Sequence, residues 1–170
     1  MRHIISILLQ NEAGALARVA ALFSSRGYNI ESLNVAPTEQ PEISRLTLVT
    51  TGPDAVIDQI NKQLLKLVDV VNTADMTMDD HIERELLLMK VKVSPGAEGE
   101  LPGIVESAGA RVLDDSPETY TVELTGASDR MDAFTARVGG CSEIVAVVRS
   151  GAFAVRCGAG ESGATPKRAS

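Results

Sequence analysis

The sequence predicts an α+β fold built as two tandem ferredoxin-like βαββαβ units, each with helices on one face of an antiparallel sheet. Three observations predict it. In the first half, short strand-like apolar runs alternate with helically spaced ones in the order β-α-β-β-α-β. In the second half, Val112 to Gly126 can be laid over Val35 to Gly52. Both read as strand, polar loop with proline, alternating strand, then glycine before a helix, so the repeat means tandem domains and not a solenoid. Finally, 170 residues at 44% hydrophobic content can pack one domain or two small ones.

His3 to Leu9, short and rich in Ile and Leu, reads as a buried strand. Asn11 to Gly14 breaks it with turn residues. From Gly14 the apolar positions Leu16, Val19, Ala20 and Phe23 recur at helical spacing, which predicts that they form the packed face. Ser24-Ser25-Arg26-Gly27 ends this helix, with Gly27 as a left-handed cap. Tyr28 to Ala36 is the second strand and Pro37 to Pro41 a polar hairpin loop. In Ser44 to Thr50, Arg45, Thr47 and Val49 alternate with Leu46 and Leu48, a strand with one packed face. Pro53 suits the first turn of a helix whose inner stripe is Ile57, Ile60, Leu64 and Leu67. Val68 to Thr73 completes the unit.

The expected boundaries are a first domain over 1–77, a linker over 78–83, a second domain over 84–157 and a tail over 158–170. The linker lies in the polar, acidic stretch Met76 to Glu83, and the tail has the composition of a disordered segment. In the second domain Arg84 to Val93 reads as a strand and Gly99 to Ala108 as a weak helix. Asp129 to Val138 is a better helix, with Met131, Phe134 and Val138 on one side, and Cys141 to Arg149 closes the unit.

Composition and motifs exclude several classes. A net charge of −7, 3% aromatic content and no Trp supply neither a basic face nor a stacking platform for nucleic acid. No run approaches a membrane span, and Met1-Arg2-His3 leads straight into a strand, so a cytoplasmic, membrane-free protein is expected. Cys141 and Cys157 have no CxxC spacing and are expected to be a buried small hydrophobe and a tail thiol in a reducing compartment. Asp79, Asp80, His81, Glu83 and Glu85 are metal-ligand types, but they fall on a solvated linker and His3 is the only other histidine, so no metal is expected. There is no G-x-S-x-G, P-loop, H-E-x-x-H or G-x-G-x-x-G, and no catalytic residue is expected.

The stretch with ligand chemistry is Asn11 to Leu16. A turn feeding a helix presents free backbone N–H groups, a ready seat for a carboxylate. Gly14 lets a ligand approach the backbone, and the Asn11 amide can donate to a carboxylate and accept from an ammonium. Asn11, Gly14, Ala15 and Leu16 are thus candidates for binding an amino-acid zwitterion. The alternative is that Asn11 caps the helix and Gly14 makes the turn; spacing leaves both open. Asn29, at the start of an apolar strand, is from its neighbours alone either a strand-edge turn residue, the favoured reading, or part of a binding surface.

Asn11-Glu12-Ala13-Gly14-Ala15-Leu16, Leu22-Phe23-Ser24, Arg26-Gly27-Tyr28-Asn29-Ile30-Glu31-Ser32-Leu33 and Val35-Ala36-Pro37-Thr38 strongly resemble the small regulatory subunits of acetolactate synthase. The likeness continues through Ser44-Arg45, Gln59-Ile60, Lys62-Gln63-Leu64 and Lys66 to Val71, and resumes at Glu83 to Leu86, Tyr120-Thr121 and Arg149 to Gly151. The resemblance implies an ACT domain that pairs with a second copy. It implies valine, or a related branched-chain amino acid, bound at the dimer interface, with Asn11, Gly14, Ala15 and Leu16 from one protomer and Asn29 and Ile30 from the other. It implies a large catalytic partner carrying thiamine diphosphate, Mg and FAD, none of them held by this chain. Ser94 to Gly103, SPGAEGELPG, departs from the family pattern, as does the looser Gly139-Gly140-Cys141.

Overall fold

The computed structural model describes residues 1–92 and 100–158. The expected tail beyond Gly158 and the part of the atypical segment up to Gly99 lie outside the described residues. The chain divides into two compact units, Met1–Ile82 together with the stretch from Phe153, and Glu83–Ala152.

The first unit runs β1 (Arg2–Gln10), α1 (Ala15–Ser24), β2 (Ile30–Pro37), β3 (Ile43–Thr51), α2 (Asp54–Leu64) and β4 (Val70–Asp75). Its strands lie in the order β2-β3-β1-β4, with antiparallel pairing throughout. The two-residue period of β1 and β3 puts Ile5, Ile7, Leu9, Leu46 and Leu48 on one face. There they meet Val19 and Phe23 of α1 and Ile57, Ile60 and Leu64 of α2, all buried.

Two expectations need correction. The inner stripe of α1 is Ala15, Val19 and Phe23, whereas Leu16 is 39% exposed. Ala15 and Leu16 are adjacent positions about 100° apart on the helix, and the entry direction set by the turn sends the smaller one inward. And β3 packs on both faces, since Thr47 and Val49 are buried as well as Leu46 and Leu48. Strand boundaries also shift by two residues: β2 starts at Ile30 and β4 at Val70, leaving Val68 at the surface. Gly27 adopts φ +73°, the left-handed conformation expected after α1.

The second unit contains β5 (His81–Lys92), α3 (Glu100–Ser107), β6 (Arg111–Asp115), β7 (Thr119–Gly126), α4 (Ser128–Cys141) and β8 (Glu143–Arg149). Its path, β6-β7-β5-β8, matches that of the first sheet with every element in the corresponding place. The repeat read from the sequence is therefore a repeat of topology. Leu87, Met89, Val91, Val122 and Leu124 face Leu101, Ile104 and Val105 of α3 and Met131, Phe134 and Val138 of α4. The strand β5 begins three residues before Arg84, and Cys141 ends α4 instead of opening β8.

A polar joint holds β8 to β5. Arg149 donates to both carboxylate oxygens of buried Glu85, at 2.8 and 2.7 Å, and to Asp132 at 2.5 Å. Ser128 Oγ donates toward Glu85 at 3.0 Å. Burial pushes the Glu85 carboxyl up, but the Arg149 and Ser128 hydrogen bonds outweigh it, and the group sits below its ordinary range. The last strand, β9 (Phe153–Arg156), belongs to the first unit and lies near β3. Arg156 pairs with Asp79 at 2.6 Å, and the Cys157 N–H donates to the Asp80 carbonyl at 2.8 Å.

Candidate functional site

The turn between β1 and α1 is held by backbone bonds at both ends. The Asn11 N–H donates to Glu42 O at 2.7 Å, and the Ala15 N–H donates to Glu12 O at 3.2 Å. The first helical i→i−4 bond runs from Arg18 N–H to Gly14 O at 3.0 Å. The amides of Leu16 and Ala17, second and third in the helix, have no acceptor within it. The positive end of the α1 dipole reinforces them.

Gly14 occupies the cap position at φ +88°, and no side chain caps α1. The capping alternative for Asn11 is thereby removed: its side-chain amide donates instead to Pro41 O, at 3.0 Å, in the β2–β3 hairpin loop. Its side-chain carbonyl has no partner among the described residues. Gly14 and Leu16 are exposed, whereas the Ala15 side chain belongs to the core and its N–H is already engaged.

Two residues that sequence reasoning passed over complete the electrostatics. Arg18 lies one helical turn after Gly14, and a Cβ at residue 14 would stand 3.0 Å from its Nη1. Arg18 Nη2 donates to Oδ1 of Asp69 at 2.8 Å, and Nε donates to Oδ2. Asp69 is buried, and the Arg18 hydrogen bonds hold its carboxyl below the usual carboxylate range against the cost of burial. The Asp69 carbonyl also accepts the Gln10 N–H at 2.8 Å, tying this pair to the turn. Nη1 of Arg18 has no partner among the described residues, so a cationic edge stands beside the free helix amides. The i, i+4 spacing from Gly14 to Arg18 was the available sequence signal.

Asn29 and Ile30 are elsewhere. Ile30 pairs with Thr50, whose other neighbour is His3, while Pro37 pairs with Ser44, whose other neighbour is Leu9. From Ser44 to Thr50 is six residues of β3, roughly 20 Å at about 3.4 Å per residue. One chain therefore keeps Asn29 at the opposite end of the sheet from Asn11. The Asn29 carbonyl accepts from Thr50 Oγ1 at 2.7 Å, its side chain is exposed, and Ile30 is half-buried against the core.

The acidic stretch after β4 does not converge on an ion. Asp79 pairs with Arg156, His81 Nδ1 bonds the Asp79 carbonyl at 2.8 Å, and Glu85 is engaged by Arg149. Among the described residues no group of three or more His, Cys, Asp or Glu could hold a metal, and no helix is long and apolar enough to cross a membrane.

The βαββαβ unit of the first half is a regulatory domain of the ACT type. Residues 5–72 match the family model described as an AHAS small subunit-like ACT domain, and residues 84–158 match the model described as small subunit of acetolactate synthase. The chain is 48% identical over 151 residues to the acetolactate synthase isozyme 3 small subunit of Salmonella typhimurium, covering 89% of this chain and 93% of that one. It is 42% identical over 158 residues to the acetolactate synthase small subunit of Haemophilus influenzae, covering 93% and 97%. The crystal structure of the acetolactate synthase small subunit from Thermotoga maritima superposes with a TM-score of 0.84 at 33% identity, covering 92% of this chain and 98% of that one. The chain belongs to the family of acetolactate synthase small subunits, regulatory ACT-domain chains that imply a catalytic large subunit as partner.

Proposed function

We propose that this chain binds valine between two copies of its ACT domain, raises the activity of the thiamine-diphosphate-dependent large subunit and makes that subunit sensitive to feedback. On this reading it acts in the cytoplasm at the first step of branched-chain amino acid biosynthesis. The large subunit, not this chain, carries thiamine diphosphate, Mg and FAD.

The observation that carries the proposal is the separation of the two halves of the candidate site. β2 is the edge strand of its sheet, and an edge strand offers unpaired N–H and C=O groups. A second copy pairing antiparallel along β2, which spans Ile30–Pro37, sets the partner's Ile30 beside Pro37. Pro37 pairs with Ser44 and Ser44 with Leu9, so the partner's Asn29 reaches the end of the sheet that carries Asn11 and Gly14. The two groups too far apart in one chain then meet across a two-fold axis. The Leu16 and Ala17 amides and Arg18 Nη1 face the carboxylate, while the side-chain carbonyls of Asn11 and the partner's Asn29 face the ammonium.

Binding in the range of about 10–100 μM needs roughly 5.5–7 kcal/mol. The isopropyl group supplies about 1.5–3 kcal/mol, and charge-assisted hydrogen bonds about 1.5–3 kcal/mol each before the entropy of association. A ligand shared by two protomers favours one mutual orientation, and it moves the enzyme only by its differential affinity for the two states.

Subunit mixing tests this arrangement. Asn11→Ala and Asn29→Ala homodimers should each lose valine binding in calorimetry. Mixed dimers place both defects in one site and leave the other intact, so each should recover one site of wild-type affinity. Recovery of none refutes a site shared between chains.

A further inference from the structure

We infer that a cationic groove on the helical side of the first unit docks an acidic segment of the catalytic large subunit. The groove, of about 490 Å³, is lined by Arg26, Gln59, Lys62, Gln63, Leu65 and Lys66. All but Gln63 are exposed, Leu65 at 43%. In the first unit Arg18 and Arg156 each have an acidic partner. Arg26, Lys62 and Lys66 have none among the described residues. Three unpaired cations along one groove stand out in a chain of net charge −7. Carboxylates on a partner would complete them, and the partner that the family implies is the catalytic large subunit.

These side chains are idle in everything described so far. Ile60 and Leu64 of α2 go to the core. Gln59, Lys62 and Lys66, interleaved with them, are exposed, and Gln63 is half-buried. Arg26 follows α1 on the same helical layer, and none of the five belongs to the turn that binds the effector. One lysine at the end of α2 serves its dipole; that accounts for neither Lys66, beyond the helix, nor Arg26. The lining has no aromatic ring for a base and no glycine-rich loop for a phosphate. Flexible cations around a partly exposed leucine are instead the make-up of a protein interface, a polar rim about an apolar contact.

The inference rests on the reading of the chain as a large-subunit partner, and the experiment separates the two. Wild type and the Lys62→Glu/Lys66→Glu variant, as full chains, are titrated into the cognate large subunit at low and moderate salt. Calorimetry with valine and thermal melting on each free chain serve as controls. The expected result is a variant that melts and binds valine like wild type, yet associates with the large subunit at least tenfold more weakly, with a flatter salt dependence. Lys62→Gln/Lys66→Gln should lose less. Affinity for the large subunit within twofold of wild type overturns the inference alone. If wild type itself fails to associate, the reading of the partner falls and the inference with it. If the glutamate variant misfolds, the glutamine variant decides: association at wild-type strength overturns the inference, and weakened association upholds it.

Discussion

Replacing Gly14 by aspartate should abolish valine binding while leaving the fold in place. Residue 14 sits at φ +88°, where an L side chain costs about 1–2 kcal/mol. The new Cβ would stand 3.0 Å from Arg18 Nη1, the movable end of a long side chain, so the clash itself is cheap. The new carboxylate would occupy the space before the Leu16 and Ala17 amides and draw the cationic edge of Arg18 to itself. Valine then loses two charge-assisted hydrogen bonds, about 3–6 kcal/mol, out of the roughly 5.5–7 kcal/mol that binding at about 10–100 μM requires. Affinity should fall by at least about 100-fold, to beyond about 1 mM. Calorimetry on the free chain reads this directly. A melting point lowered by roughly 5 °C, the shift expected for about 1 kcal/mol in a domain of this size, shows that the unit survives. Activation of the large subunit without valine should persist. Gly14→Ala carries the strain without the charge and should retain measurable binding. Valine affinity of the aspartate variant within threefold of wild type refutes the placement of the carboxylate.

The ion pairs and the domain boundary carry the other expectations. Glu85→Gln leaves Arg149 without its buried partner and should destabilise the second unit by about 3 kcal/mol, read by denaturant titration. The folded Glu85 carboxyl is depressed, so its stabilisation is complete above the ordinary value of 4.5 and is lost as pH falls through the lower folded value. Melting of the wild type should therefore hold steady from neutrality to about pH 5 and decline below it, and the variant's decline should be shallower. Asp69 obeys the same sign, since its carboxyl too is depressed by Arg18. Arg18→Met strands a buried carboxylate and should lower the melting point further than the Arg18→Met/Asp69→Asn double variant; additive losses would show that the pair is uncoupled. A chain ending at Met78 should bind valine within threefold of the full chain and activate weakly. It should also unfold more readily, because it lacks β9 beside β3. Failure of that truncated, folded chain to bind valine counts against a site made wholly by the ACT units.

What the sequence disclosed, and what it withheld, follows from the range over which each interaction acts. Strand, turn and helix signals are local, and the βαββαβ order, the Gly27 cap and the cores around Phe23 and Phe134 were all legible. The packed face of α1 was not. Leu16 is the more apolar residue, but a helix is set on its sheet by where the chain enters, and Gly14 at a positive φ makes that entry rotate Ala15 inward. Non-local partners were equally hidden: nothing near Thr47 announces that the far end of the chain returns as β9 to lie near β3. The candidate site divides along the same line. Asn11 and Gly14 could be read because the turn that presents them is contiguous. Arg18 was signalled only by its i, i+4 spacing from Gly14, because its role depends on Asp69, 51 residues away, which engages Nε and Nη2 and leaves one edge toward the turn. That division also gives Asp69 its part. An unpaired arginine beside the helix amides would hold any passing anion. With Nε and Nη2 tied to a buried carboxylate, the remaining edge is fixed in direction and partly neutralised, so the contacts to an acid group alone fall short of the affinity an effector needs. On the proposed reading, selection for an amino acid then falls to the groups that see the ammonium, Asn11 and Asn29, and these are the two that one copy of the chain keeps roughly 20 Å apart.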